Sequence, residues 1–584
     1  MVSKQLIKTL KKSLKWGALL LIISPSFAQN PLIIPPALTG LNFNLTVQSG
    51  TTQFYPGIST PTYGINGAFL SPTIIVNKGD VVTLNVINNL TVGTTMHWHG
   101  LHVAAENDGG PHQLISAGTT WSPSFEILNN AATFWYHPHG EGKTELHVGK
   151  GLSGLFIVHD PAELALGLPQ TYGVDDIPLI LQTKAFDVLH QIAIADHMDT
   201  AVFTNGVIDA VTDFPAQVIR LRVLNGSSMR TFNVGFANDM PFYQIATDGG
   251  LVAAPNTITR MMLAPGERSE LLVDLTGMNG QQLQLMSYGS EMPAGIYGSP
   301  SVGVFPDTMA DYDMNMLNGA DFQVLDVNVV APTANPVTVI PTSLVPYTPI
   351  PTANADINRI LVLDTIRLLP GDVPSLAEGP FGINDKTFDM DSINISIPLN
   401  STEIWTLVNK THIAHPFHIH DVQFNVIEKS GVTPPLTEQG WKDVVLVLPH
   451  DSVKFITQFT TFSDTMVPYM YHCHLLHHED DGMMGSFLVV DPFAAVDEQA
   501  VASSNLTVFP NPTVNNWSIS GNWKGADLVV EIVNTLGQLL YTQEIKNVDL
   551  DTITIPTTSL ENGSYVLTVT YNDSVQFARV QKVD

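Results

Sequence analysis

The chain has 584 residues, 25 basic against 54 acidic side chains, a formal net charge of −29 and a single cysteine. The length exceeds one domain at ~100–200 residues each, the acidity argues against nucleic acid or an anionic membrane as partner, and one cysteine excludes an internal disulfide.

Residues 1–28 carry Lys4, Lys8, Lys11, Lys12 and Lys15, then an apolar run from Trp16 to Ile23, then Ser26-Phe27-Ala28. A basic start, a short apolar stretch and a small-x-small site predict a signal peptide cleaved after Ala28. The protein is expected to be exported, through the periplasm, and then secreted or held at the cell surface. No later stretch reaches the ~20 apolar residues that span a bilayer, so no membrane span is expected. Loss of five lysines and no acids takes the net charge to −34.

From residue 36 onward, strand-like runs such as Thr73-Ile74-Ile75-Val76 and Val81-Val82-Thr83-Leu84-Asn85-Val86 are split by turn signals, here Lys78-Gly79-Asp80. Similar runs recur at Val218–Val223 and Leu271–Leu275, with few helical periodicities. This predicts an all-β chain of sandwiches.

Two histidine pairs sit in the first third, His97-Trp98-His99 and His137-Pro138-His139. Side chains two apart on an extended segment face the same way, so each pair can aim both imidazoles at one place. Trp135 and Tyr136, just before His137, read as sandwich core. Glu106-Asn107-Asp108-Gly109-Gly110 supplies an acid, Asp108, close behind the first pair. Residues 331–352, with Pro332, Pro336, Pro341, Pro346, Pro349 and Pro351, read as a semi-rigid linker. Beyond it comes His415-Pro416-Phe417-His418-Ile419-His420.

The most informative run is His472-Cys473-His474-Leu475-Leu476-His477-His478-Glu479, followed by Met483. On a strand, Cys473 points one way and His472 and His474 the other. If both faces bind metal, three residues join two centres covalently. A thiolate, two imidazoles and a weak thioether make the trigonal set of a blue copper site, with one imidazole supplied from elsewhere in the chain. His477, His102, His112, His147, His159, His412 and His450 lie near these runs without completing one, and Met484 reads as packing.

At these four runs the chain resembles the multicopper oxidases, nearest the bacterial laccase, bilirubin oxidase and cuprous oxidase branch, over roughly residues 36–495. The resemblance implies cupredoxin-like Greek-key sandwiches at 36–162, 173–330 and 353–495, and four copper ions. His415, Cys473, His478 and axial Met483 then resemble a type 1 site, and His97 and His418 the type 2 ligands. His99, His137 and His474 would hold one type 3 copper, and His139, His420 and His472 the other. Asp108 and Glu479 match acids that carry protons. The expected partners are O2 and a small reducing substrate.

Residues 505–584 alternate like a small C-terminal β-sandwich without chemical residues. Phe509-Pro510-Asn511-Pro512 and Asn562-Gly563-Ser564-Tyr565 resemble the sorting domain of proteins exported by the type IX secretion machinery. The alternative is an ordinary carbohydrate- or protein-binding β-module.

Three functions are compatible with this reading. One is an oxidase of phenolic or bilirubin-type donors. A second is a metal oxidase acting on Cu(I) or Mn(II), for which only Met309, Met314 and Met316 among Asp307, Asp311 and Asp313 echo the methionine-rich insertion of the cuprous branch. A third is a copper carrier or electron-transfer protein without oxygen chemistry, disfavoured by eight further histidines it would not need.

Overall fold

The computed structural model describes residues 30–304, 307–367, 369, 372–491, 506–521, 523–534, 538–550, 552–571 and 574–583. The expected signal peptide lies outside them. The described residues are nearly all β, as the alternating runs predict.

The first sandwich pairs two sheets. One runs Ala37–Thr39, Thr73–Asn77, Gly154–His159, Ala132–His137, His97–His99, and the other is built on Asn42–Tyr55 and Val81–Asn88. Val82, Leu84 and Val86 alternate inward with Phe43, Leu45 and Val47 and are fully covered. The middle sandwich packs a six-stranded sheet on an eight-stranded one around Leu179, Leu221, Phe232 and Leu271. The third stacks a sheet containing Ser401–Asn409 and Ser452–Phe459 on one ordered Ile395–Pro398, Met484–Val490, Tyr469–Cys473, His415–Ile419, Val444–Val447. Trp405, Phe417 and Phe455 fill its core. A three-stranded and a four-stranded sheet form a separate small sandwich around Trp517, Trp523 and Leu567.

Between Val330 and Ile357 the chain makes no strand. It is nevertheless tied down: Val218 N–H donates to the Val337 carbonyl, Leu344 N–H to Ala253, and Ile350 N–H to the Asn425 side chain. The prolines, which cannot donate, leave these bonds to the residues between them.

Register brings the histidines together. The antiparallel pairing of Ala132–His137 with His97–His99 sets His137 opposite His97 and Trp135 opposite His99. In the third sandwich, His415–Ile419 pairs with Tyr469–Cys473 so that His418 faces His472 and Phe417 faces Cys473. Because strand side chains alternate, one register places Cys473 among the core residues and His472 on the opposite face, toward the first sandwich.

Candidate metal centre

Cys473 Sγ lies 3.4 Å from His415 Nδ1 and 3.7 Å from His478 Nδ1, and those two nitrogens are 3.3 Å apart. Such a triangle is small enough for one ion to touch every corner. His415 comes from its strand, and His478 from the short helix Leu476–Asp480 that follows Cys473. The Thr411 hydroxyl sits 2.8 Å from His415 Nε2, fixing that ring, and Phe381 lies edge-on to His415 and tilted against His478. Met483 is buried in the same cluster and its backbone carbonyl accepts from the Cys473 N–H. Burial pushes the thiol well above its usual range and holds His415 down to about 3. The imidazoles are therefore neutral and ready to ligate, whereas the thiol must give up a proton to a metal.

Eight further histidines converge where the first and third sandwiches meet: His97, His99, His137, His139, His418, His420, His472 and His474. His99, His137 and His474 form one set of ligand atoms and His139, His420 and His472 another, while His97 joins His418 and His420. His139 and His472 approach Nε2 to Nε2 at 3.2 Å. Burial, then mutual repulsion, depresses His99, His137, His139, His418 and His472, and burial lowers His420 to about 4 and His474 to about 3. All are buried.

Several of these rings are held from their outer side. His97 Nδ1 donates to the Asp108 carbonyl at 2.9 Å, His420 Nδ1 to Asp108 Oδ2 at 2.7 Å, and His418 Nδ1 to the Asp443 carbonyl at 2.8 Å. Glu479 Oε1 and Oε2 lie 3.3 Å from His139 Nδ1 and 3.2 Å from His472 Nδ1, without hydrogen-bonding geometry. The inner nitrogens of His97, His137, His418 and His420, all Nε2, are buried and have no hydrogen-bond partner in the protein. A buried nitrogen without a partner is costly. Four of them aimed into one space fit metal ions.

The two acids rest in opposite states. Burial would raise Asp108, but His420 and His97 outweigh it and hold the carboxyl below its usual range. Glu479 has no such hydrogen-bonded imidazole, and burial, with Asp480 beside it, holds it well above.

Residues 46–163 and 366–492 match the multicopper oxidase family, and residues 507–582 match the secretion-system C-terminal sorting domain. The multicopper oxidase mco of Staphylococcus haemolyticus is 32% identical over 459 residues, which span 77% of this chain and 89% of that protein. The chain belongs to the multicopper oxidase family. As a multicopper oxidase it is a copper-dependent oxidoreductase, and the sorting domain suggests export. The cell division protein FtsP of Escherichia coli is also similar, 30% identical over 506 residues covering 83% and 98% of the two chains. Among solved structures, a laccase-like multi-copper oxidase, CueO, of the lignin-degrading bacterium Ochrobactrum sp. superposes with a TM-score of 0.68 at 33% identity. It covers 79% of this chain and all of its own. McoA of Aquifex aeolicus gives 0.68 at 30% identity over the same shares.

Of the bystanders, His477 stands outside these sets of ligand atoms, 3.4 Å from Glu145, and Met484 packs, buried. Tyr136 fills the first sandwich. Trp135 does not: it stacks on His137 at 4.1 Å and lies in the seam with Leu155, Ile180 and Leu224. Alternation explains this, since it shares a face with His137 and not with Tyr136. Sequence reasoning missed Asp443, which forms a set of ligand atoms with His99 and His418. Its only sequence signal is a charged pair, Lys442-Asp443, directly before the apolar run Val444–Val447.

Proposed function

We propose that the chain oxidises small organic donors, phenolic or bilirubin-like, one electron at a time at a type 1 copper and reduces O2 to water at a three-copper cluster. In this reading His415, Cys473, His478 and Met483 hold the type 1 ion. His97 and His418 hold type 2; His99, His137 and His474 hold one type 3 ion, and His139, His420 and His472 the other. His420 has one free nitrogen and so serves a single ion, because Asp108 takes the other. The observation that carries the proposal is the Cys473 triangle joined through adjacent backbone to His472 and His474.

Bound there, copper supplies reversible one-electron chemistry and the capacity to gather four electrons for O2. The protein's own part is positional and protonic. Buried neutral imidazoles keep their lone pairs available, and their outer N–H groups are fixed by carbonyls and carboxylates. Glu479 keeps a proton at its carboxyl beside His139 and His472, whereas Asp108 stays ionised and accepts from His420. Such a split between two carboxyls at one cluster suits one group to give protons and the other to take them. The sorting domain supports delivery by the type IX machinery to the cell surface or beyond.

Exposed Met314 and Met316, beside Asp311 and Asp313, favour the second reading, oxidation of Cu(I) or Mn(II). An intact set of copper-ligating residues speaks against a purely non-catalytic role. Oxygen uptake measured side by side with a phenol, bilirubin, Cu(I) and Mn(II) decides: organic donors should turn over fastest. Uptake driven by a metal ion alone would replace the proposal with the second reading.

A further inference from the structure

The middle sandwich contributes none of the twelve residues assigned to copper, yet it reaches the cluster. Arg268, on the strand Arg268–Asp274, is fully buried. Its guanidinium meets Asp443 of the third sandwich as a two-toothed fork, Nη1 to Oδ1 at 2.6 Å and Nη2 to Oδ2 at 2.7 Å. The remaining donors are also placed: Nε donates to the Thr133 carbonyl of the first sandwich at 3.0 Å, Nη1 to Gly266 and Nη2 to Asp248. One side chain thus touches all three sandwiches.

Asp443 in turn faces two histidines of the cluster. His99 Nε2 donates to Asp443 Oδ1 at 3.2 Å, and His418 Nδ1 donates to its backbone carbonyl at 2.8 Å. The bond to His99 uses Nε2, so its unpartnered nitrogen is Nδ1, the reverse of His97, His137, His418 and His420. The two rings stack with centroids 3.7 Å apart and planes 10° apart. A small shift of Asp443 would therefore change which nitrogen His99 offers and how His418 lies against it.

We propose that Arg268 is a positioning residue for the three-copper cluster, clamping Asp443 so that His99 offers Nδ1 and His418 offers Nε2 to the metals. This rests on the copper-cluster reading above. A guanidinium fork fixes a carboxylate in plane, which an ammonium cannot do. Conservative loss of the fork should then disturb the cluster more than the fold.

The test uses the full-length, copper-loaded protein as wild type, R268K, R268M and D443N. R268K should keep the blue absorbance and the copper-free melting temperature. Its type 2 electron paramagnetic resonance spectrum should change, and kcat should fall about 10–100-fold with the donor KM unmoved. R268M and D443N should show the same change in the type 2 spectrum and in kcat, each with a lower copper-free melting temperature because it leaves a buried charge without its partner, and if R268M does not fold, R268K decides. An unchanged type 2 spectrum in both R268K and D443N would overturn the proposal. So would joint loss of blue absorbance and copper-free stability in R268K, the signature of ordinary packing. A wild-type protein without a type 2 signal would overturn the copper-cluster reading itself, separately from the clamp.

Discussion

His97 from the first sandwich stacks on His420 from the third, ring centroids 3.9 Å apart and planes 19° apart, with Asp108 reaching the Nδ1 of both. Two folding units thus meet through imidazoles whose inner nitrogens lack partners. Joining them without metal leaves that cost uncompensated, so metal bound there would couple to sandwich docking.

Copper removal should therefore lower stability well beyond the loss of colour. A ligand that binds only the folded form stabilises by about 2.7 kcal/mol at a hundredfold excess over Kd. Calorimetry of holo and chelated protein should show the transition of the first and third sandwiches falling in temperature, with the C-terminal sandwich unmoved. Equal melting of both forms would show that the interface does not depend on metal.

Cys473→Ser should abolish blue absorbance and oxidase activity, because serine supplies no thiolate. Met483→Leu should keep the colour and raise the reduction potential, since the weak axial ligand is gone. Burial raises the Cys473 thiol, so ion binding must displace its proton, and apparent affinity at this site should weaken about tenfold per unit of falling pH. Copper titration of the apo protein across pH measures that slope; a flat response would mean the site binds without the thiolate.

The convergence of the histidine runs was legible because metal chemistry demands particular side chains at short, regular spacing, and strand alternation predicts which way each points. His477 could be set aside for breaking that spacing. Arg268 and Asp443 were not legible, because their partnership depends on how the middle and third sandwiches dock, and no local pattern encodes that. Trp135 was misplaced for a related reason: an aromatic on a strand says that it packs, not whether it faces its own core or a seam. The opposite shifts of Asp108 and Glu479 were not legible either, because they depend on burial and on His420, contributed to Asp108 by a distant segment.

Glu270 anchors the middle sandwich to the first. It accepts from Arg220 Nε at 2.9 Å, Arg222 Nη1 at 2.8 Å and the Thr133 hydroxyl at 2.7 Å, all buried. Glu270→Gln removes the charge that Arg220 and Arg222 share, although Arg220 keeps Glu163 and Arg222 keeps Asp176, and it should cost about 1–3 kcal/mol. Burial opposes ionisation of Glu270, but Arg220 and Arg222 outweigh it and depress its pKa. A depressed carboxylate stabilises above its unfolded pKa, and that contribution disappears as pH falls through the folded value. Urea unfolding of the copper-free proteins should thus show a large gap at neutral pH that narrows in acid. A constant gap would assign the loss to packing.

Burial, first, and Asp480 raise Glu479 well above the usual carboxylate range, and it lies within 3.3 Å of two cluster histidines. Asp108 is held ionised and accepts from His420. Glu479→Gln keeps shape but has no proton to release, so steady-state turnover should fall by at least about tenfold, within the ~10²–10⁴-fold range of general-acid contributions. Asp108→Asn cannot pick up a proton, so proton supply becomes limiting and the pH optimum should move to more acidic values. In both variants copper content and single-turnover bleaching of the blue absorbance by donor should stay normal, since electrons arrive at the Cys473 site. If Asp108 instead only holds the Gly109-Gly110 turn, where Gly109 has a φ of 81°, copper loading would drop together with rate. Normal copper with undiminished turnover in either variant would remove that acid from the mechanism.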